Sequence, residues 1–149
     1  MMKNLNGKTA VLYRRVSTTE QKDYGMSLSN QSERLRDFCN RNSIKIIQDF
    51  EEDYSAKDFN RPVFTEMLKF VAKNKKQIDY LLIYKWDRFS RNTMEAMNMI
   101  NQFKGFNVKV NCTEQWINHE DPNQLLMLLI NLGIPQVDNM VRTDRTIEG

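Results

Sequence analysis

The sequence predicts an α/β fold in which a mostly parallel central sheet of four or five strands is flanked by helices. Short apolar runs alternate along the chain with segments whose apolar residues recur every three or four positions, the patterns of strands and helices respectively. Such alternation is typical of layered α/β domains. The 149 residues suffice for one domain with a substantial core, and no apolar run is long enough to span a membrane.

The first third of the chain predicts two strands and the helix between them. Thr9–Arg15 (TAVLYRR) is an apolar run that ends in two arginines. Asn30 lies three residues before Glu33, which resembles a capping box and predicts the start of a helix. Ile44–Phe50 (IKIIQDF) predicts the second strand, and an acidic, polar loop follows over Glu51–Asn60. The apolar stripe of the helix consists of Leu28, Leu35, Phe38 and Cys39.

The next segment has the clearest helical pattern. Pro62 suits a first helical turn, and lysines crowd the far end of the segment, where positive charge is favourable. Asp79–Trp86 (DYLLIYKW) is almost wholly apolar, which predicts a third strand that is central and buried on both faces. The apolar residues of the helix are Val63, Phe64, Met67, Leu68 and Val71, and its terminal lysines are Lys73, Lys75 and Lys76.

A third helix and a fourth strand complete the predicted sheet. Gly105 ends the helix, and Phe106–Val110 (FNVKV) predicts the strand. Leucines from Asp121 onward predict a further helix, which Gly133 and Pro135 bend or end. We therefore expect a domain over residues 1–120 and a C-terminal helical segment over 121–149. The third helix is marked by Met94, Met97, Ile100 and Phe103.

Composition narrows the possible chemistry. The net charge of +3, from 22 basic and 19 acidic residues, permits a polyanionic partner without requiring one. Cys39 and Cys112 cannot build a disulfide framework, so we expect buried core thiols in a reducing, cytoplasmic protein. His119 is the only histidine; we interpret it as a solvated loop residue, and with two thiols it leaves no four-ligand zinc set.

Arginine and serine residues follow three of the predicted strands, where the carboxyl ends of parallel strands meet. A serine must be activated to act as a nucleophile, and a guanidinium group can form bidentate hydrogen bonds with a phosphate. Acyl transfer would instead need a histidine base, so these residue types favour phosphoryl transfer. The residues concerned are Arg15, Ser17, Ser55, Arg61, Asp87, Arg88, Ser90 and Arg91.

Ordinary structural interpretations exist for each of these residues. Ser17 could satisfy backbone groups within a loop, and Asp87 or Ser90 could cap the helix that follows. Arg88 and Arg91 could lie on a solvated helix face. The fold pattern fits a non-catalytic receiver- or flavodoxin-like binding module equally well. A metal-dependent, TOPRIM-like nuclease is also conceivable, and its acids would be Glu51, Glu52, Asp53 and Asp87.

Several segments, in order, resemble the motifs of one family. YRRVSTTEQ resembles the Y-x-R-V-S-T-x-x-Q signature of the serine recombinases, the resolvase/invertase and large serine integrase family, and WDRFSRN resembles its D-R-x-S-R signature. DYSAKDFNRP resembles the Ser…Arg-Pro element of the family. GMSLSNQ and the ending IPQVDNMVRTDRTIEG are similar to segments of the large serine recombinases. The resemblance covers about Thr9 to Gly149.

The resemblance implies a resolvase-like three-layer fold and a reaction with double-stranded DNA. Ser17 would attack the scissile phosphate, form a 5′-phosphoserine linkage and release a 3′-hydroxyl, with no metal, ATP or other cofactor. Asp87 would orient the arginines or assist proton transfer. The remaining implied roles are phosphate binding by Arg15, Arg61, Arg88 and Arg91, shaping of the pocket by Tyr13 and Gln21, and support by Ser55.

The resemblance also implies an assembly. Family members form homodimers that pair into a tetramer on DNA, and residues 121–149 would begin the long dimerisation helix. Large serine recombinases carry further DNA-binding domains after the catalytic one, including a zinc-binding module. We therefore expect this chain, with its catalytic domain over residues 1–120, to be excised from a longer protein.

Overall fold

The computed structural model describes residues 4–15, 28–52, 61–86, 89, 93–128 and 130. Its strands are β1 (Thr9–Arg15), β2 (Lys45–Glu52), β3 (Tyr80–Ile83) and β4 (Lys109–Cys112). Its helices are α1 (Leu28–Arg41), α2 (Pro62–Asn74), which continues into a 3-10 turn at Lys75–Gln77, α3 (Thr93–Gly105) and α4 over residues 122–128. Among these residues no helix is both long and apolar enough to cross a membrane.

The four strands form one sheet in the order β2-β1-β3-β4, and every pairing is parallel. This confirms the predicted α/β class with a parallel central sheet. Because the strands run the same way, they all begin at one edge and all end at the other. We call these the amino edge, at Thr9, Lys45, Tyr80 and Lys109, and the carboxyl edge, at Arg15, Glu52, Ile83 and Cys112.

Helices cover both faces of the sheet and divide the core in two. Side chains alternate along β1, so Leu12 packs towards α1 while Val11 and Tyr13 pack towards α2 and α3. The predicted central strand β3 is buried along its whole length, as expected for a strand covered on both faces. The α1 side contains Leu35, Phe38 and Cys39, and the other side contains Phe64, Met67, Val71, Ala96, Ile100 and Phe103.

The prediction that β2 ends at Phe50 is wrong, because the strand continues to Glu52. Its last residues pair with β1, Glu51 opposite Arg14 and Glu52 opposite Arg15. The carboxylates made this end resemble a loop in the sequence. Glu51 forms an ion pair with Arg14, and Glu52 is buried with hydrogen-bond partners, so the strand tolerates both acids.

The predicted third and fourth strands also need correction. The third is shorter than expected and ends at Ile83. The fourth begins at Lys109 instead of Phe106, because residues after Gly105 are used to end α3. Asn107 has a positive φ of 63°, and the Val108 N–H donates to the Phe103 carbonyl at 2.9 Å. Asparagine adopts this left-handed conformation more readily than most residues, which lets the helix end there.

Two helix expectations are wrong in detail, and one is confirmed. The helix α1 begins at Leu28, so Asn30 lies inside its first turn instead of before it. On α3, Met94 is 75% exposed, and Ala96 takes its expected place on the buried face. Asp121 begins α4 as predicted, since its Oδ1 accepts the Asn123 N–H at 3.0 Å.

Candidate active site at the carboxyl edge

One buried guanidinium connects the three motif segments at the carboxyl edge. Arg61 is 1% exposed; its Nη1 donates to the Tyr13 hydroxyl at 3.0 Å and its Nη2 donates to the Phe89 carbonyl at 2.8 Å. The same guanidinium lies 5.2 Å from the centre of the Phe64 ring, a cation–π contact. Tyr13 belongs to YRRVSTTEQ, Phe89 to WDRFSRN and Arg61 to DYSAKDFNRP. Arg61 therefore links the three segments directly.

A buried carboxylate completes this network from the neighbouring strand. Tyr13 donates its hydroxyl proton to Glu52 Oε1 at 2.5 Å. The carboxylate also accepts the N–H groups of Val63 at 2.9 Å and Phe64 at 3.2 Å, two of the free donors in the first turn of α2. Glu52 thus caps α2 from β2, and its charge suits the positive end of the helix dipole.

The tyrosine in this network remains protonated. Burial raises the pKa of Tyr13 far above its usual value, and the hydrogen bond to Glu52 raises the pKa further, whereas Arg61 and Arg15 lower it. Tyr13 is fully buried, so it acts as a fixed donor and acceptor between Glu52 and Arg61. Its part here is to position Arg61 and the end of β1.

A glutamine from α1 fixes the backbone at the end of β1. Gln31 Nε2 donates to the Arg15 carbonyl at 3.0 Å, and Gln31 Oε1 accepts the Arg15 N–H at 3.3 Å. Both residues are 0% exposed. This amide pairs with both backbone groups of Arg15, the last residue of β1, and so fixes the backbone at the end of the strand.

The adjacent arginine faces the opposite side of the sheet and has a different role. Arg14 Nε donates to Asp49 Oδ1 at 2.8 Å, and Arg14 also pairs with Glu51. Arg36 of α1 contacts the other oxygen of Asp49 at 2.7 Å. These ion pairs join β1, β2 and α1. Because side chains alternate along a strand, Arg15 and Glu52 lie on one face, and Arg14 and Glu51 lie on the other.

The structure brings together the predicted site residues that it describes. Tyr13 and Arg61 are in direct contact, and Arg15 lies close enough to lower the pKa of Tyr13. The other predicted site residues lie outside the described residues, namely Ser17, Gln21, Ser55, Asp87, Arg88 and Arg91.

Sequence reasoning missed two residues of this site. Glu52 was considered only as an acid for a metal-dependent nuclease, but its bonds to Tyr13 and to α2 show a structural role. Gln31 ends the GMSLSNQ stretch and received no role. A signal for Gln31 was present, because a glutamine at a buried position of an amphipathic helix needs a polar partner.

The carboxylates proposed for a metal-dependent nuclease do not converge among the described residues. Glu51 and Glu52 point to opposite faces of the sheet, and each already has a cationic or N–H partner. No group of three or more His, Cys, Asp or Glu side chains suited to a metal occurs in the part of the chain that the structure describes. Asp53 and Asp87 lie outside that part.

The remaining candidates lie away from the carboxyl edge. His119 lies in a turn, as expected, but the expectation that it is solvated is wrong, since it is half-buried and its Nε2 donates to the Val110 carbonyl at 2.6 Å. Cys39 and Cys112 are free and fully buried, which confirms their assignment to the core. Burial raises the pKa of Cys39 to about 11, so this thiol is not a nucleophile at neutral pH.

Comparisons with known proteins agree with this fold. The N-terminal catalytic domain of TP901-1 integrase superposes with a TM-score of 0.69 at 22% identity, over 90% of this chain and 98% of that one. A resolvase family site-specific recombinase from Streptococcus pneumoniae superposes with a TM-score of 0.67 at 22% identity, over 95% of each chain. At these identities the likeness shows a shared fold.

Sequence comparison identifies the family. A "Resolvase/recombinase" of Pseudomonas putida is 25% identical over 137 residues, which are 92% of this chain and 68% of that protein. The family described as "Resolvase, N terminal domain" matches residues 10–149. The chain therefore belongs to the resolvase N-terminal domain family: it is the catalytic domain of a serine recombinase, an enzyme of site-specific DNA recombination.

Proposed function

We propose that this domain cleaves and rejoins double-stranded DNA through a covalent bond to Ser17. In the forward step the Ser17 hydroxyl loses its proton and its oxygen bonds to the scissile phosphorus. The bond from phosphorus to the 3′ oxygen breaks, and that oxygen takes up a proton. The products are a 5′-phosphoserine linkage and a free 3′-hydroxyl, and rejoining to a new 3′-hydroxyl reverses the step without metal or ATP.

The observation that carries this proposal is the contact of Arg61 with both Tyr13 and Phe89. Tyr13 lies four residues before Ser17, and Phe89 lies between Arg88 and Ser90 in the sequence. A guanidinium that binds both segments draws the nucleophile segment and the arginine-rich segment towards one place. Such convergence is what a phosphoryl-transfer site requires, because several cations must surround a single phosphate.

The arginines have two roles in this proposal. Arg15, Arg88 and Arg91 bind the scissile phosphate and stabilise the charge that grows on its oxygens. Arg61 is a positioning residue, since its described contacts are with Tyr13, Phe64 and Phe89 and its side chain is buried. This differs from the role in phosphate binding that the family resemblance implies for Arg61.

Residues outside the described part complete the proposed site. Asp87 orients the arginines or assists proton transfer, Gln21 shapes the pocket beside Ser17, and Ser55 supports the arginine cluster. Dimers that pair into a tetramer on DNA would supply the second pair of nucleophiles that exchange of two duplexes needs. The proposal places the protein in the cytoplasm, where its two free, buried thiols stay reduced.

The proposal is tested by isolating the covalent intermediate. This chain, fused to a DNA-binding module of known site, is incubated in EDTA with duplex DNA that carries a nick near the expected scissile bond. The nick lets the released strand diffuse away, so the adduct accumulates. We expect a protein–DNA adduct whose tryptic peptide of Ser17 carries a 5′-nucleotide, together with a 3′ end that a polymerase extends.

Two variants identify the nucleophile. Ser17→Ala removes the attacking oxygen, so no adduct is expected. Thr18→Ala removes the neighbouring hydroxyl and serves as the matched control, which keeps the adduct. An adduct that persists in Ser17→Ala, or one joined to a 3′ end, refutes the proposed chemistry.

A further inference from the structure

Six lysines surround the amino edge of the sheet, on the opposite side of the domain from the candidate active site. Lys8 directly precedes β1, and Lys45 and Lys109 are the first residues of β2 and β4. Lys75 and Lys76 belong to the 3-10 turn that precedes β3, Lys104 lies in the last turn of α3, and all six are exposed. We call this set the amino-edge lysine patch: Lys8, Lys45, Lys75, Lys76, Lys104 and Lys109.

Backbone contacts fix the arrangement of the patch. The Lys45 N–H donates to the Lys8 carbonyl at 2.9 Å, so these two lysines start neighbouring strands side by side. The Lys109 N–H donates to the Asp79 carbonyl at 3.0 Å and places Lys109 beside the start of β3. With about 4.8 Å between strands, Lys45 and Lys109 are roughly 14 Å apart across the sheet.

An open hollow lies within the patch. It has a volume of about 260 Å³ and is lined by Lys75, Lys76, Asp79, Phe106 and Asn107, among others. The two ammonium groups and the exposed Asn107 give this hollow donors for an anionic oxygen. The patch spans roughly 14 Å across the sheet, which is wide enough to reach more than one phosphate of a duplex strand.

The positive charge of the patch is only partly offset within the described part of the chain, where the Asp79 carboxylate lines the same hollow. The ion pairs found there involve Arg14, Arg34 and Arg36, and none involves these six lysines. The carboxylate of Asp79 accepts the backbone N–H of Thr9 at 2.9 Å. The patch carries six positive charges against a net +3 for the whole chain, so the rest of the chain is net negative.

Favourable interaction with helix C-termini explains the position of only some of the six lysines. Lys104 lies in the last turn of α3, where a cation interacts favourably with the helix dipole. Lys8, Lys45 and Lys109 do not belong to helices, so that reason does not apply to them. A local excess of exposed positive charge of this kind attracts a polyanion.

We propose that the amino-edge lysine patch binds the phosphate backbone of double-stranded DNA, at a distance from the scissile phosphate and without reading bases. Lysine suits this task because it is a hydrated point charge on a flexible stem, which tolerates many phosphate positions. The patch gives the domain a second contact with DNA on the side opposite the nucleophile. The choice of DNA as partner rests on membership of a DNA recombinase family and does not depend on the chemistry of Ser17.

The test measures how the affinity of this 149-residue chain for DNA depends on salt. Binding to a fluorescent duplex of about 20 base pairs with no recombination site is followed by anisotropy from about 20 to about 200 mM salt. In the triple variant K45Q/K76Q/K109Q we expect affinity at low salt to fall by roughly tenfold or more. The slope of log affinity against log salt should become shallower by about 0.9 for each phosphate that the variant no longer neutralises.

Controls separate the patch from general charge loss and from the active site. Lys69→Gln removes one exposed lysine from the middle of α2 and should leave affinity within about twofold. The triple variant, in the fusion used above, should form the Ser17 adduct at the parental rate once DNA is saturating. Unchanged affinity and slope in the triple variant overturns the proposal and leaves an acidic protein surface as the partner. An equal loss in Lys69→Gln also overturns it.

Discussion

The two edges of the sheet both carry positive charge, but they use it differently. At the carboxyl edge Arg15 is 0% exposed and Arg61 is 1% exposed, and the guanidinium of Arg61 has defined partners. At the amino edge the lysines are exposed and form no ion pair with the described residues. The arginine at the carboxyl edge is held in one position by its hydrogen bonds, whereas the lysine side chains at the amino edge are exposed to solvent.

The physical reason lies in the chemistry of the two cations. A guanidinium is planar and more weakly hydrated than an ammonium, so it can be buried when its N–H groups find partners. The Tyr13 hydroxyl and the Phe89 carbonyl provide such partners for Arg61. An ammonium loses more on leaving water, which favours lysine where the charge must stay exposed. The carboxyl edge therefore holds a buried arginine in a fixed position, and the amino edge keeps its lysines in water, where they can attract a polyanion.

The largest expected effect is on the rate of adduct formation, when a cation is neutralised at the carboxyl edge and not at the amino edge. Arg15→Gln should lower the rate of adduct formation at saturating DNA by about 10²- to 10³-fold, as for loss of one preorganised charge-stabilising donor. Lys45→Gln removes the same charge at the amino edge and should leave this rate within about twofold. The measurement is single-turnover quench-flow with the fused protein. Equal losses in the two variants would mean that overall charge, and not position, controls the reaction.

A smaller effect is expected from two adjacent carboxylates at the carboxyl edge. Glu52→Gln leaves the shape but removes the charge that accepts from Tyr13 and from the first turn of α2, so the free energy of unfolding should fall by about 1–3 kcal/mol. Glu51→Gln breaks an ion pair whose carboxylate side chain is 55% exposed, and the loss should be under about 1 kcal/mol. Urea unfolding of both variants measures the difference, and a larger loss in Glu51→Gln would contradict the assignment.

The sequence was sufficient for the order of elements, because this information is local. The bounds of β1 were predicted correctly, and the α2 stripe of Phe64, Met67 and Val71 is buried as predicted. The strong apolar pattern of β3 also placed it in the centre of the sheet. For α2 the period of the apolar residues carried the signal, and for β1 and β3 the short apolar run carried it.

The errors arose where a residue's role depends on distant partners. Glu52 was assigned to a loop because a lone glutamate disfavours a strand, yet Tyr13 and the start of α2 supply what it needs. His119 was assigned to solvent, yet the Val110 carbonyl accepts its N–H. No local pattern encodes these contacts, since the pairing of β1 with β2 must form first. The amino-edge lysine patch was missed for the same reason: its members are scattered along the sequence.

The single histidine makes the amino edge sensitive to pH. Burial lowers the pKa of His119 below its ordinary value of 6.5, and Lys109 and Lys104 add to this effect, while the bond to Val110 opposes it. The unfolded chain therefore binds the proton more readily. The contribution of His119 to stability is full above pH 6.5 and is lost as the pH falls through 6.5 and past the folded-state pKa. Urea unfolding between about pH 7.5 and 5.5 should show this decline, and His119→Gln should flatten it.

The smallest expected effect is on the pKa of His119, and it tests whether the charge of the amino-edge lysines reaches the imidazole. Lys109→Gln removes the larger of the two charge repulsions, so the pKa of His119 should rise towards 6.5. Burial, which is the larger cause, remains, so the rise should stop short of that value. NMR titration of the one imidazole in the chain measures it directly, and Lys69→Gln on the middle of α2 is the matched control with no expected shift. Because surface charges are screened by salt, the rise should shrink as ionic strength increases. A pKa that does not move in Lys109→Gln at low salt would show that solvent already screens the imidazole of His119 from the charge of Lys109.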